Sequence, residues 1–60
     1  MDTYIAKIKN HQSIIYLATD AKDAIEWAIA LKRGMYGDDS ELVSIWNHDA
    51  NEFIELKNEN

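Results

Sequence analysis

Apolar and polar positions alternate along four short stretches of this chain, and one longer stretch between them has helical spacing. Thr3 to Lys9 (T-Y-I-A-K-I-K) alternates and holds β-branched and aromatic residues, which predicts a strand. Asn10-His11-Gln12 is a polar break of hairpin length. Ser13 to Thr19 (S-I-I-Y-L-A-T) predicts a second strand, more apolar and less cleanly alternating. So short a connection predicts antiparallel pairing. Glu41 to His48 and Glu52 to Lys57 predict a second hairpin around the turn His48-Asp49-Ala50-Asn51.

The middle of the chain predicts a helix. Thr19 or Asp20 can cap it, because a short side-chain oxygen accepts from the free amides of the first turn. Asp20 and Asp23 place negative charge at the positive end of the helix dipole, and Lys32 and Arg33 place positive charge near the other end. Ala21 to Arg33 is rich in Ala, Leu, Glu and Lys, and Gly34 or Gly37 supplies the stop. At about 100° per residue, Lys22, Asp23, Glu26, Ala30 and Arg33 fall on one side. The apolar arc opposite, from Trp27 round to Ile29, spans about 200°, wider than the ~100° stripe of an ordinary surface helix. Alanines line its centre and predict close approach to a sheet, with Trp27 and Ile29 at the rims of the contact.

These elements predict an α+β domain of order ββαββ, a four-stranded, mostly antiparallel sheet with one helix packed on one face. Residues 1–60 form a single domain, with 58–60 expected to fray. Every strand carries large apolar residues on both parities. Tyr4, Ala6 and Ile8 oppose Ile5, and Ile15 and Leu17 oppose Ile14 and Tyr16. Likewise Val43 and Ile45 oppose Leu42 and Trp46, and Ile54 and Leu56 oppose Phe53. One helix covers one side of a sheet, so the other side is expected to carry apolar side chains, with Tyr16, Trp46 and Phe53 as a contact surface.

Composition narrows what such a surface can serve. Sixty residues without cysteine bury only about 60% of the surface of the unfolded chain, so stability rests on a well-packed core or on association. The hydrophobic share of 47% argues against disorder. No apolar run is long enough to cross a bilayer and no basic, apolar leader is present, so a cytoplasmic location without membrane attachment is expected. The net charge of −5 disfavours phosphate-backbone binding and favours basic partner surfaces.

Catalysis is not expected. His11 and His48 sit in different predicted turns, which lie at opposite ends if the helix crosses the sheet once. They cannot then share a metal or a proton relay. No cysteine nucleophile exists, no serine lies in a nucleophile elbow, and Gly34 and Gly37 belong to no phosphate loop. No cofactor or metal is implied. The acidic cluster Asp38, Asp39 and Glu41 is expected to set the electrostatics of a contact, in the extreme by imitating a phosphate backbone.

Two resemblances emerge from these residues. The junction Leu17-Ala18-Thr19-Asp20-Ala21-Lys22-Asp23-Ala24-Ile25, continuing to Ala28, resembles small mobile-element proteins of the DpnD/PcfM type. In these a hairpin leads through an Ala-Thr-Asp-like cap into an Ala-rich helix. The likeness covers the first two-thirds of the chain; it implies a phage or plasmid origin and no defined activity. The ββαββ order and the second hairpin, Trp46…Asp49-Ala50…Phe53, resemble the immunoglobulin-binding domains of streptococcal protein G. That likeness bears on topology and implies a binding role for Trp46. The helix departs from it, since large aromatic core positions fall on Ala28 and Lys32.

The sequence therefore predicts a small non-enzymatic protein-binding domain, an inhibitor or accessory protein that occupies a partner's surface. Its contact residues would be Tyr16, Trp46, Phe53, Asp38, Asp39 and Glu41. The alternatives are a structural homodimer packed through its sheet faces and a binder of single-stranded nucleic acid using Lys7, Lys9 and exposed aromatics.

Overall fold

A computed structural model describes residues 1–56. Its elements follow one another as β1 (Asp2–Ile8), β2 (Ile14–Ala18), α1 (Ala21–Tyr36), β3 (Leu42–Asn47) and β4 (Glu52–Ile54). They form the expected α+β arrangement, one four-stranded sheet in the order β2-β1-β3-β4 with a helix on one face. Every neighbouring pair is antiparallel. The expected fraying at 58–60 lies outside the described residues.

Lengths explain the topology. Sixteen helical residues span about 24 Å at ~1.5 Å each. Seven residues of β1 span about the same at ~3.4 Å each. The helix starts where β2 ends, beside Asp2, and finishes over the first hairpin turn, where the Tyr36 ring stacks on His11 at 4.1 Å and its hydroxyl donates to the Gln12 carbonyl at 2.9 Å. The chain is thus returned to the β1 end from which β3 can run antiparallel to β1. The free flank of β1 takes it.

Local chemistry sets the ends of α1. Asp20 is the N-cap: its Oδ1 accepts from the Asp23 amide at 2.8 Å. Asp23 Oδ2 answers by accepting from the Thr19 amide at 3.0 Å and from its hydroxyl at 3.2 Å, one residue ahead of the cap. At the other end Gly37, with φ of 100°, donates its amide to the Arg33 carbonyl. Gly34 does not stop the helix but lies within its last turns, and a Cβ there would meet nothing within 4 Å. Gly34→Ala is accordingly expected to raise the unfolding free energy by about 0.5–1 kcal/mol, read as a shift in urea midpoint with unchanged slope. No gain would mean that the helix frays before this turn.

The core lies between α1 and one face of the sheet. Tyr4, Ala6, Ile8, Ile14, Ala18 and Ile45 face Ala24 and Ala28 across it, and all eight are buried. The alanines bring the helix backbone close enough to the sheet for the Tyr16 hydroxyl to donate to the Ala24 carbonyl at 2.6 Å. Lys32 follows Ala24 and Ala28 on the same stripe and is buried as well; its ammonium donates to the Ser40 carbonyl at 3.1 Å and ties down the α1–β3 loop. No buried side-chain polar atom lacks a partner among the described residues.

Burial pushes the Tyr16 hydroxyl up to about 12, helped by Tyr4 and Asp23. Tyr4 is also raised, by burial and then by Asp2, Asp20, Asp23 and Asp49. Both groups stay protonated in the fold at a pH where an unfolded tyrosine, with its pKa near 10, ionises. Their stabilisation is complete below pH ~10 and is lost as pH rises towards 12. Alkaline titration followed by circular dichroism should show unfolding in that window. Tyr16→Phe, although less stable at neutral pH, should show a shallower alkaline decline. An equally steep decline would assign the transition to other groups.

Candidate functional site

The face away from the helix carries a continuous apolar row. Ile5 on β1 lies opposite Ile15 on β2 and Trp46 on β3, and Trp46 lies opposite Phe53 on β4. Directly opposed residues share a face, so Ile15, Ile5, Trp46 and Phe53 cross all four strands in one line. Leu17 stands beside Ile15, in the neighbouring row with Thr3. Lys7 and Ser44 pair on the other flank and give the band a polar border.

Exposure separates this row from the core. Ile15 is 70% exposed, Leu17 58% and Phe53 67%, whereas Ile45 on the opposite face is fully buried. Ile5 and Trp46, on the inner strands, are half-buried by their neighbours. The Trp46 and Phe53 rings meet edge to face with centroids 4.7 Å apart, an arrangement that fixes both rings relative to the sheet.

Of the residues expected to make this surface, Trp46 and Phe53 lie on it and Tyr16 does not. Tyr16 faces the helix: its ring stacks on Tyr4 at 6.0 Å and its hydroxyl is held by the Ala24 carbonyl. The two alanines on α1 leave space for a large ring, and a helix carbonyl satisfies its hydroxyl. On β2 it is Ile15 and Leu17, without polar atoms to satisfy, that are left outside.

Leu42 also changes sides relative to the expected alternation. The β1–β3 register shifts between Lys7 and Ile8, so that Lys7 pairs with Ser44 but Ile8 pairs with Leu42, and Val43 has no opposite residue. This bulge turns Leu42 onto the core side, away from Trp46.

The acidic residues Asp38, Asp39 and Glu41 lie in the α1–β3 loop, at the end of the molecule that holds the first hairpin turn. They do not border the apolar row as a group. Asp38 is paired with Arg33 at 2.9 Å, and Glu41 approaches Lys9 at 4.0 Å while its carbonyl accepts the Lys9 amide. Asp39 lines a shallow polar recess with Lys9, His11 and Ser40. A second acidic group, Asp2, Asp20, Asp23 and Asp49, surrounds the opposite pole near Tyr4. His11 and His48 are likewise at opposite ends, His11 against Tyr36 and His48 beside Thr3.

The helix does not cover the sheet evenly. It sits over β2, β1 and β3, and a groove of ≈ 780 Å³ opens between α1 and the β4 edge, lined by Ile25, Ile29, Ile54 and Leu56 with Lys22 and Glu55. Two of the row's members, Ile5 and Ile15, with Leu17 beside them, and this groove were not among the contact residues singled out from the sequence. The parity of each strand held the first signal; the position of the helix, which exposes the second, is a tertiary property. Among the described residues no group of His, Asp and Glu is placed to hold a metal ion. No helix is long and apolar enough to cross a membrane. Comparison with protein-family models, curated proteins and solved structures finds no match.

Proposed function

We propose that this is a non-catalytic protein-binding domain that engages a partner through the open face of its sheet. The observation that supports this is the uninterrupted row Ile15–Ile5–Trp46–Phe53, which crosses all four strands on the open face and is exposed at its ends, Ile15 and Phe53. Contiguous apolar patches of this kind on small domains are often functional. A tryptophan braced by a second aromatic at the centre of such a patch has the character of an interface hot spot. The partner's contact surface is apolar at its centre. The net charge of −5 favours a basic surround, met by the acidic groups at both poles. Occupying a partner's surface in this way is the mode of action of an inhibitor or accessory protein, and the cytoplasm, in a phage or plasmid context, is the setting we propose for it.

Packing of two copies face to face is the second reading, favoured by the same row, since a C2 contact would cover Ile15, Leu17 and Phe53 at once. Single-stranded nucleic acid has less support: among the described residues Lys7, paired with Ser44, is the cation that borders the row, and Trp46 and Phe53 are packed on each other rather than free to stack on bases.

Sedimentation of the wild type, Trp46→Asp and Ile15→Asp over a wide concentration range separates the readings. A foreign partner predicts a monomer throughout, with both variants folded. A dimer that either substitution dissolves, leaving a folded monomer, would transfer the face to self-association.

A further inference from the structure

We infer that β4 and the groove beside it form a second binding site, one that takes an extended peptide as a fifth strand of the sheet. Strand β4 pairs with β3 alone among the described residues and so offers its outer backbone amides and carbonyls. At most sheet edges an added strand would gain only these ladder bonds. Here the helix is displaced towards β2, and the space beside β4 on the helix side is the open groove walled by Ile25, Ile29, Ile54 and Leu56. A strand added at this edge lays one side chain into the groove next to Ile54 and the following one on the open face next to Phe53. Both layers of the fold are extended together.

Charge selects the occupant. Glu52 and Glu55 flank the apolar pair Phe53–Ile54, and Asp49 precedes them in the turn; all three are exposed. Residues opposite a strand member share its face and contact it directly, and opposite charges in those places stabilise the pair. The complementary strand therefore reads basic–apolar–apolar–basic, with the basic residues against Glu55 and Glu52. A second copy of this chain does not supply that pattern. Pairing β4 with β4 sets glutamates against apolar side chains or against each other. The chain's own last four residues, Lys57-Asn58-Glu59-Asn60, offer no apolar side chain for the groove. The occupant is a foreign, basic, apolar-centred segment in extended form, recognised as in other edge-strand additions by backbone bonds plus alternate pockets.

This site meets the open-face row only at Phe53 and does not depend on the function proposed for that row. The test is selection of a library of random short peptides on the full chain, with the enriched peptides then measured on variants. Enriched sequences should share the basic–apolar–apolar–basic stretch. Ile29→Lys, at a helix position already 39% exposed, should weaken them by at least about tenfold, a lysine in the apolar groove being poorly solvated. Glu52→Lys with Glu55→Lys should do the same while sparing the fold. Ile15→Asp, on the far strand of the open face, should leave binding unchanged. Bound peptide should slow amide exchange along β4. Absence of enrichment, enrichment without that stretch, or binding that leaves β4 exchange unaltered (a helix lying in the groove) would overturn the inference. Binding lost on Ile15→Asp but kept on Ile29→Lys would also overturn it, and would place the contact on the open face instead.

Discussion

Replacing Ile45 with alanine should cost the domain most of its stability. Ile45 is fully buried on β3, opposite Ala6 on one side and Ile54 on the other. The buried apolar helix residues above the sheet are Ala24 and Ala28. Neither they nor Ala6 can swing in to fill the space, so a cavity persists and the loss falls within the usual range of about 2–5 kcal/mol. A domain of this length has roughly 3–9 kcal/mol in total, taking ~0.05–0.15 per residue. Urea titration by far-ultraviolet circular dichroism should find the Ile45→Ala midpoint far below that of the wild type. Ile15→Ala, a comparable truncation on the open face, should stay within about 0.5 kcal/mol of wild type. A larger cost for Ile15→Ala than for Ile45→Ala would mean that the core lies on the other face of the sheet.

Asn47→Ala should produce the second largest loss, about 2–3 kcal/mol, from a polar side chain rather than an apolar one. Asn47 is 7% exposed. Its Oδ1 accepts from the amides of Asp49 at 3.0 Å and Ala50 at 2.9 Å, and its Nδ2 donates to Asp2 Oδ2 at 3.2 Å. The first two bonds shape the turn that places β4, and the third ties that turn to the start of β1. Alanine leaves two turn amides without their acceptor. Asn47→Asp would keep an acceptor for both amides but would set a carboxylate against Asp2, so its cost should be smaller at low pH, where the pair can hold a proton, than at pH 7. Thermal melts at the two pH values, with amide exchange at Asp49 and Ala50, measure both effects. A neutral Asn47→Ala would show that the hairpin is held by its ladder alone.

Much of this architecture could be read before any coordinates. Alternation within each strand, the Asp20 cap with Asp23 one turn on, and the short polar breaks located all five elements, because each signal is local and acts within a few residues. The alanine-lined centre of the helix face likewise anticipated how closely α1 approaches the sheet. The expectation failed where two faces were equally apolar. On β2, both Ile14-Tyr16 and Ile15-Leu17 suit a core, and the choice was made by a hydroxyl that could reach the Ala24 carbonyl. On β3, a bulge at Val43 reversed the parity of Leu42, which simple alternation cannot report. Lys32 was read as a charge suited to the end of the helix dipole; its stem instead continues the buried stripe and its ammonium finds the Ser40 carbonyl. Gly34 and Gly37 both read as possible stops; the helix runs past Gly34 to Tyr36, stacked on His11, and Gly37 is the cap. For the candidate surface, the aromatic pair Trp46 and Phe53 was visible, but its extension through Ile5 to Ile15 depends on a register between distant strands.

The placement of β1 has a consequence for how the chain comes off the ribosome. β1 is an inner strand, and its second neighbour is made late: Thr3 and Asp49, joined by a hydrogen bond across that end of the sheet, are 46 residues apart. At the usual ~5–20 residues per second, roughly two to ten seconds separate their synthesis. Through that interval the first hairpin has one vacant flank, and Tyr4, Ala6 and Ile8 have at most α1 to cover them. Translation speed, and any chaperone that shields the nascent hairpin, should therefore decide how much of this protein reaches its final form. Slow codons before β3 would lower the yield without altering a single residue.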